Sequence, residues 1–211
     1  MKQKEMKVIC ACCGKEVTVP VRISSYRRDS GQDQKPEIPA LLPLIQECPN
    51  CHYCSNALEA PVSENVKTKI LNENYYNYME EVEVSDRAFV RLQAAMRGTE
   101  DDKKNAFFHL WSAWFCEWND SMETAKMFRR KAVDFMEKCL QQAVDFPFML
   151  IYIDCLRQLE AFEKAEEVIA DIEGMVVKNL SPERAEYKVF LYEKQLVEAK
   201  DARAHMVSEA M

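Results

Sequence analysis

The chain has 211 residues, of which 48% are hydrophobic and 30% charged, and a formal net charge of −7. That apolar content supports a packed core and argues against wholesale disorder. Four glycines are too few for a Gly-rich nucleotide-binding architecture, and the acidic balance argues against a chain that wraps nucleic acid.

The first residues, Met1 to Lys7, are charged and lead into only two apolar residues, Val8 and Ile9. A secretory signal needs an apolar run of roughly 7–15 residues, and a membrane-spanning helix about 20. No stretch reaches either length; even the run from Phe146 to Ile153 is cut short by Asp154. The expectation is a cytoplasmic protein without a membrane partner.

Nine cysteines are present, and six of them fall within the first 54 residues: Cys10, Cys12, Cys13, Cys48, Cys51 and Cys54. Cys10-Ala-Cys-Cys13-Gly14 and Cys48-Pro-Asn-Cys51-His52 form two Cys-x-x-Cys knuckles with 34 residues between them. Thiolates three positions apart chelate one ion from a tight turn whose following amides point at the sulfurs. A residue able to adopt a left-handed backbone is wanted after the second cysteine. Gly14 meets that need, and His52 takes the equivalent place in the second knuckle. Two knuckles supply the four sulfurs of a closed, structural zinc site, so Cys10, Cys13, Cys48 and Cys51 are the candidate ligands. The same set suits iron, and Cys12, His52 and Cys54 are alternative donors nearby. A thioredoxin-type redox pair would need a surrounding βαβ pattern, which is missing. In a reducing compartment such a cluster reads as a metal site rather than as disulfides.

Between the knuckles, apolar residues alternate at Val17, Val19, Val21 and Ile23, which predicts an edge strand that tolerates Pro20. Residues 27–39 are polar and Pro-punctuated, hence a loop, and a second irregular strand is expected through residues 41–46. Six of the eight prolines precede residue 62. This first part is close to neutral, whereas the remainder carries the acidic excess. The division predicted is a four-cysteine module over residues 1–62 and a helical domain over 63–211.

From Ser63 onward the pattern is helical. Ser63 caps a helix running to about Met79, and Ser85 caps a second over 86–97 that Gly98 is placed to stop. Helices are then expected over 102–118, 121–144, 148–159 and 162–178. A last one runs from Ser181 to about Ser208, with Pro182 at its first position. The short loops predict antiparallel α-hairpins. Cys116, Cys139 and Cys155 sit singly on apolar helix faces as small core residues. Phe107, Trp111, Trp114 and Trp118 share one face of one helix, a core stripe rather than a peptide groove. Tyr75, Tyr76 and Tyr78 read as a helix-packing surface.

Ala125 and Ala132 follow a helix carrying Ala113 and Cys116. Forty residues on, Leu156-Arg-Gln-Leu-Glu-Ala-Phe-Glu-Lys-Ala165 repeats the theme of helix, tight turn and small residue. This resembles a tetratricopeptide hairpin, with three departures: a spacing of about 40 rather than 34, Ile172 at the second small position, and Glu160 in the turn. No phosphate loop, Gly-x-Ser-x-Gly elbow or His-Glu-x-x-His motif occurs, so no enzyme activity is expected.

Taken with Ser24-Ser-Tyr-Arg-Arg-Asp29-Ser, the two knuckles resemble those of a family of uncharacterised bacterial proteins. Its members join an N-terminal zinc-ribbon-like region with four cysteines to tetratricopeptide-like helices. The resemblance implies Cys10, Cys13, Cys48 and Cys51 as ligands and no particular activity. In that family the second knuckle usually reads Cys-Pro-x-Cys-Gly-Tyr, so His52 departs, as does Cys12. The fold expected is mainly α, with a small zinc-ribbon-like β module followed by α-hairpins. The function expected is that of a zinc-binding adaptor engaging a protein partner through its helices. The alternatives are a nucleic-acid-binding regulator using Arg22, Arg27 and Arg28, or a thiol-based redox sensor using Cys12 and Cys54.

Overall fold

The computed structural model of the chain describes residues 4–21, 31–35, 45–72, 87–143 and 145–211. The second expected strand through residue 44, the three tyrosines, the Ser85 cap and the arginines at 22, 27 and 28 lie outside them. The chain divides into two compact units. The first comprises Met1–Tyr26 and Ile38–Ala125, the second Arg27–Glu37 and Lys126–Met211. Val66 and Ile70, beyond residue 62, share a core with the cysteine module.

In the first unit, β1 (Lys4–Ile9) and β2 (Glu16–Val21) form an antiparallel hairpin in which Val8 pairs with Val17 and Glu5 with Pro20. With only two strands each is an edge, which is why Pro20 is accommodated without a missing ladder bond. The alternation seen in the sequence places Val17 and Val19 in the core and leaves Thr18 outside. β3 (Gln46–Glu47) pairs with β4 (Cys54–Ser55) around the second knuckle.

Helix α1 (Glu64–Asn72) starts where Ser63 Oγ accepts from the Val66 amide at 3.3 Å. Its Val66 and Ile70 are buried with Val8, Val17, Val19, Tyr53, Leu58 and the cysteines. Helix α2 (Arg87–Arg97) packs on α3 (Asp102–Trp118), and Phe89 stacks on Phe115 with ring centroids 5.1 Å apart. Val90, Leu92, Ala94 and Ala95 of α2 close over Ile45, Cys54 and Phe108. Gly98 does follow α2, but not for left-handed freedom: a methyl group there would meet the Tyr53 ring at 3.3 Å. Of the aromatic stripe on α3, Trp114 is buried, while Phe107, Trp111 and Trp118 are half-buried. The deepest residues of α3 are instead Ala106, Phe108, Leu110 and Ala113.

The second unit contains most of α4 (Met122–Gln142), then α5 (Phe146–Gln158), α6 (Phe162–Asn179), α7 (Ala185–Glu198) and a final 3-10 turn, Val207–Ala210. Helices α5, α6 and α7 pack on one another. Pro147 occupies the first turn of α5, whose start Asp145 caps by accepting from the Phe148 amide. The last helix is much shorter than its pattern predicts. It begins after Arg184 rather than at Pro182, and stops at Glu198. The carbonyls of Asp201 and Arg203, which a longer helix would use internally, accept instead from Arg157 at 2.6 Å each.

Three helix ends close in one way. After α3, α5 and α7 the residues Asp120, Glu160 and Lys200 take positive φ of 56°, 62° and 53°. In each, that residue's amide and the next one bond back to form the paired closure of a Schellman motif: Asp120 to Glu117 and Ser121 to Cys116, Glu160 to Arg157 and Ala161 to Leu156, Lys200 to Val197 and Asp201 to Leu196. The three positions are forty residues apart in sequence and none is glycine. No described helix is long and apolar enough to cross a membrane.

Candidate metal centre

The two knuckles are built alike. In the first, Gly14 N donates to Cys10 O at 2.7 Å and Cys10 N to Lys15 O at 2.9 Å. In the second, His52 N donates to Cys48 O at 2.8 Å and Cys48 N to Tyr53 O at 2.9 Å. Each turn therefore ends in a left-handed residue, Gly14 at φ 72° and His52 at φ 55°. His52 keeps this conformation because its side chain is held: Nδ1 lies 2.8 Å from Glu47 Oε1, and Arg91 Nε donates to Glu47 Oε2 at 2.7 Å. Glu47 and Arg91 carry no spacing signal in the sequence; the pairing of β3 with β4 places Glu47 beside the knuckle, and the packing of α2 on β4 brings Arg91.

The fold brings Cys10, Cys13, Cys48 and Cys51 together, with all four Sγ atoms within 4.8 Å of one another. Across the knuckles, Cys10 Sγ lies 3.8 Å from Cys51 Sγ, and Cys13 Sγ lies 3.7 Å from Cys48 Sγ. The edge of a tetrahedron with ~2.3 Å metal–sulfur bonds is about 3.8 Å. Two opposite edges of the sulfur set match that length and all six stay within 4.8 Å, so the four cysteines could hold a four-coordinate metal ion. Cys10, Cys48 and Cys51 are buried and Cys13 half-buried.

The electrostatics of the metal-free thiols point the same way. Burial pushes the Cys10 thiol up to about 11 despite backbone amides of Cys13 and Cys12 directed at it, and Cys51 higher still, burial again dominating. Burial would raise Cys48 too, but the amides of Asn50 and Cys51 and the neighbouring thiols bring it below its ordinary value. Cys48, once ionised, adds its charge to burial in holding the protons of Cys10 and Cys51. Only a bound cation would let all four ionise in so small a volume.

The group of four excludes His52, Cys54 and Cys12, although Cys12 is close enough to interact with Cys51. His52 is turned to Glu47. Cys54 donates to His52 O at 3.4 Å and packs with Ile45, Val90 and Phe108. Cys12 is buried in the module's core, its proton held by burial. Of the single helix cysteines, Cys116 and Cys155 are buried and Cys139 half-buried.

No family model matches the chain, and no curated protein or solved structure shows significant similarity to it.

Proposed function

We propose that the protein is a zinc-binding, non-enzymatic adaptor in which the four-cysteine centre holds the N-terminal module together and the helices engage a protein partner. The observation that carries this reading is the match between the cross-knuckle sulfur separations, 3.7 and 3.8 Å, and the edge of a zinc–tetrathiolate tetrahedron. A buried four-sulfur set is the donor pattern of structural zinc; a rubredoxin-like iron would take the same ligands. None of the nine cysteines is in a disulfide. The recurring closure at Asp120, Glu160 and Lys200 supports a tetratricopeptide-like reading of the helices. Partly exposed Met127, Met175 and Leu191, on α4, α6 and α7, supply the adaptable apolar surface such a role needs.

Elemental analysis of the intact protein tests the centre. One zinc per chain is expected, lost in Cys51→Ser and retained in Cys54→Ala; a well-folded, metal-free protein would end the reading. The adaptor role is tested by native mass spectrometry of protein from its own cells. It requires a stoichiometric polypeptide that is released by Met175→Glu or Leu191→Glu.

A second reading, a thiol sensor, is favoured by one observation: a fifth thiol, Cys12, interacts with Cys51. Peroxide would oxidise two thiolates to a disulfide, itself reduced to water, and zinc would leave. Zinc release unaltered by Cys12→Ser would dispose of it.

A further inference from the structure

The two knuckles reach the same turn by different means. Both end in a left-handed residue, Gly14 at φ 72° and His52 at φ 55°. A β-carbon at Gly14 would meet nothing within 4 Å, so glycine is there for its backbone freedom rather than for room. His52 does carry a β-carbon, and a side chain in that conformation has a steric cost that glycine avoids. The second knuckle therefore needs a hold that the first does without.

His52 is held through its amide, its carbonyl and its ring. The amide donates to Cys48 O at 2.8 Å, the carbonyl accepts from Cys54 Sγ at 3.4 Å, and ring Nδ1 lies 2.8 Å from Glu47 Oε1. Glu47 is fixed in turn. Its side chain is only 6% exposed, its strand partner is Cys54, and its Oε2 accepts from Arg91 Nε of α2 at 2.7 Å. What the left-handed turn delivers is the backbone just beyond it. The Tyr53 amide is directed at the Cys51 sulfur, and the Tyr53 carbonyl accepts from Cys48 N at 2.9 Å. Were residue 52 to relax to negative φ, that peptide would rotate and the sulfur would lose the amide that disperses its charge.

We propose that Glu47 and Arg91 are positioning residues of the metal centre: they clamp His52 in its left-handed conformation and so keep the Tyr53 amide on Cys51 Sγ, which places retention of the ion under the control of helix α2. The proposal rests on the metal-binding reading above and deepens it. A ligand sulfur must stay ionised and correctly aimed for the ion to stay, and groups one layer out from the ligands set both properties. The first knuckle builds this into glycine. The second borrows it from a carboxylate on β3 and a guanidinium on α2, so its grip depends on the docking of that helix.

Zinc transfer from the intact chain to a chromogenic chelator, at one fixed pH, tests the clamp. Glu47→Ala should speed transfer by roughly tenfold or more, as expected on losing a group that orients a metal ligand. Arg91→Ala should act in the same direction and less strongly, since Glu47 remains beside the ring. The deciding variant is His52→Gly. Glycine takes the left-handed turn unaided, so His52→Gly alone should keep its zinc, and Glu47→Ala and Arg91→Ala should lose most of their effect in that background. A general loss of stability would speed release whichever residue stood at position 52, so this rescue separates positioning from mere support of the fold. Arg91→Ala, at a site 30% exposed, carries the test should Glu47→Ala fail to fold. With zinc bound to the parent, three results would overturn the clamp and spare the metal centre: single variants that release zinc no faster than the parent, release equally fast with and without His52→Gly, or rapid loss from His52→Gly itself. A well-folded parent that binds no zinc would overturn both.

Discussion

Arg157 Nε donates to Glu193 Oε2 at 2.9 Å, and neither side chain exposes any surface to solvent. The rest of the guanidinium is equally committed. Nη1 serves the Asp201 and Arg203 carbonyls, and Nη2 bonds to Asp154 and reaches Glu193 Oε1 at 3.5 Å. All five donors of the fork are used, joining α5 to α7 and to the segment that follows it. Arg157→Ala leaves two buried carboxyl groups without their cation and two carbonyls without donors. A loss of about 3–5 kcal/mol is expected, read as an earlier urea transition in far-UV circular dichroism. Tryptophan emission should move less, because Trp111, Trp114 and Trp118 all belong to the first unit.

Two acids around one arginine leave a charge to be accounted for. Burial, and then the neighbouring Asp154, hold the Glu193 carboxyl well above its ordinary range against the pull of Arg157. Asp154 is raised as well, by burial and by Asp33. A group whose value rises on folding contributes stability at low pH that is lost as pH climbs through its folded value. The second unit should therefore gain from mild acidification between neutrality and the usual carboxylate range. Glu193→Gln imitates the protonated acid, so it should flatten that slope and stay within ~1 kcal/mol of the parent at neutral pH. Urea melts at several pH values decide it; a Gln variant that keeps the parent's slope would refute the assignment.

Local signals are legible in the sequence and distant ones are not. Cys-x-x-Cys is a property of one turn, and the alternation of Val17 and Val19 is a property of one strand, so both survive without knowledge of the fold. The strand β1 carries no such signal, because half of its residues are charged and, among residues 5–9, only Val8 is buried. The closures at Asp120, Glu160 and Lys200 lack the glycine that usually marks them, leaving only their forty-residue spacing as a clue. The helical pattern overruns the last helix because the true end is set by Arg157, more than forty positions earlier. Asp33, in a stretch that reads as plain loop, finds Arg129 at a separation of 96 residues. No pattern of neighbours could have announced that pair.

The metal centre gives the first unit a pH dependence whose sign depends on occupancy. In the metal-free chain the Cys10 thiol lies at about 11, against 9.0 for an ordinary thiol, and burial is the main cause. Sign follows from the rise: the contribution is complete below about 9 and fades as pH approaches 11. Metal-free protein should thus lose stability on the alkaline side. The loaded protein should behave oppositely, because acid returns protons to four thiolates and expels the ion. Tryptophan-monitored melts with and without zinc, from about pH 5 to 10, would show the two slopes diverge. Parallel slopes would mean the thiols are not the ligands.

Gln32 is buried to 4% exposure, yet neither its amide nitrogen nor its amide oxygen meets a partner among the described residues. Its backbone amide bonds to His205 O, so the residue is placed by its main chain while its side chain gains nothing polar. An unsatisfied buried amide costs about 1–3 kcal/mol. Methionine has a similar length and no strong hydrogen-bonding demand, so Gln32→Met should stabilise the docked turn by about 1 kcal/mol. Exchange at 31–35 should slow accordingly, with Asp33 and Arg129 still paired. A faster exchange in Gln32→Met would show instead that the amide is satisfied in solution.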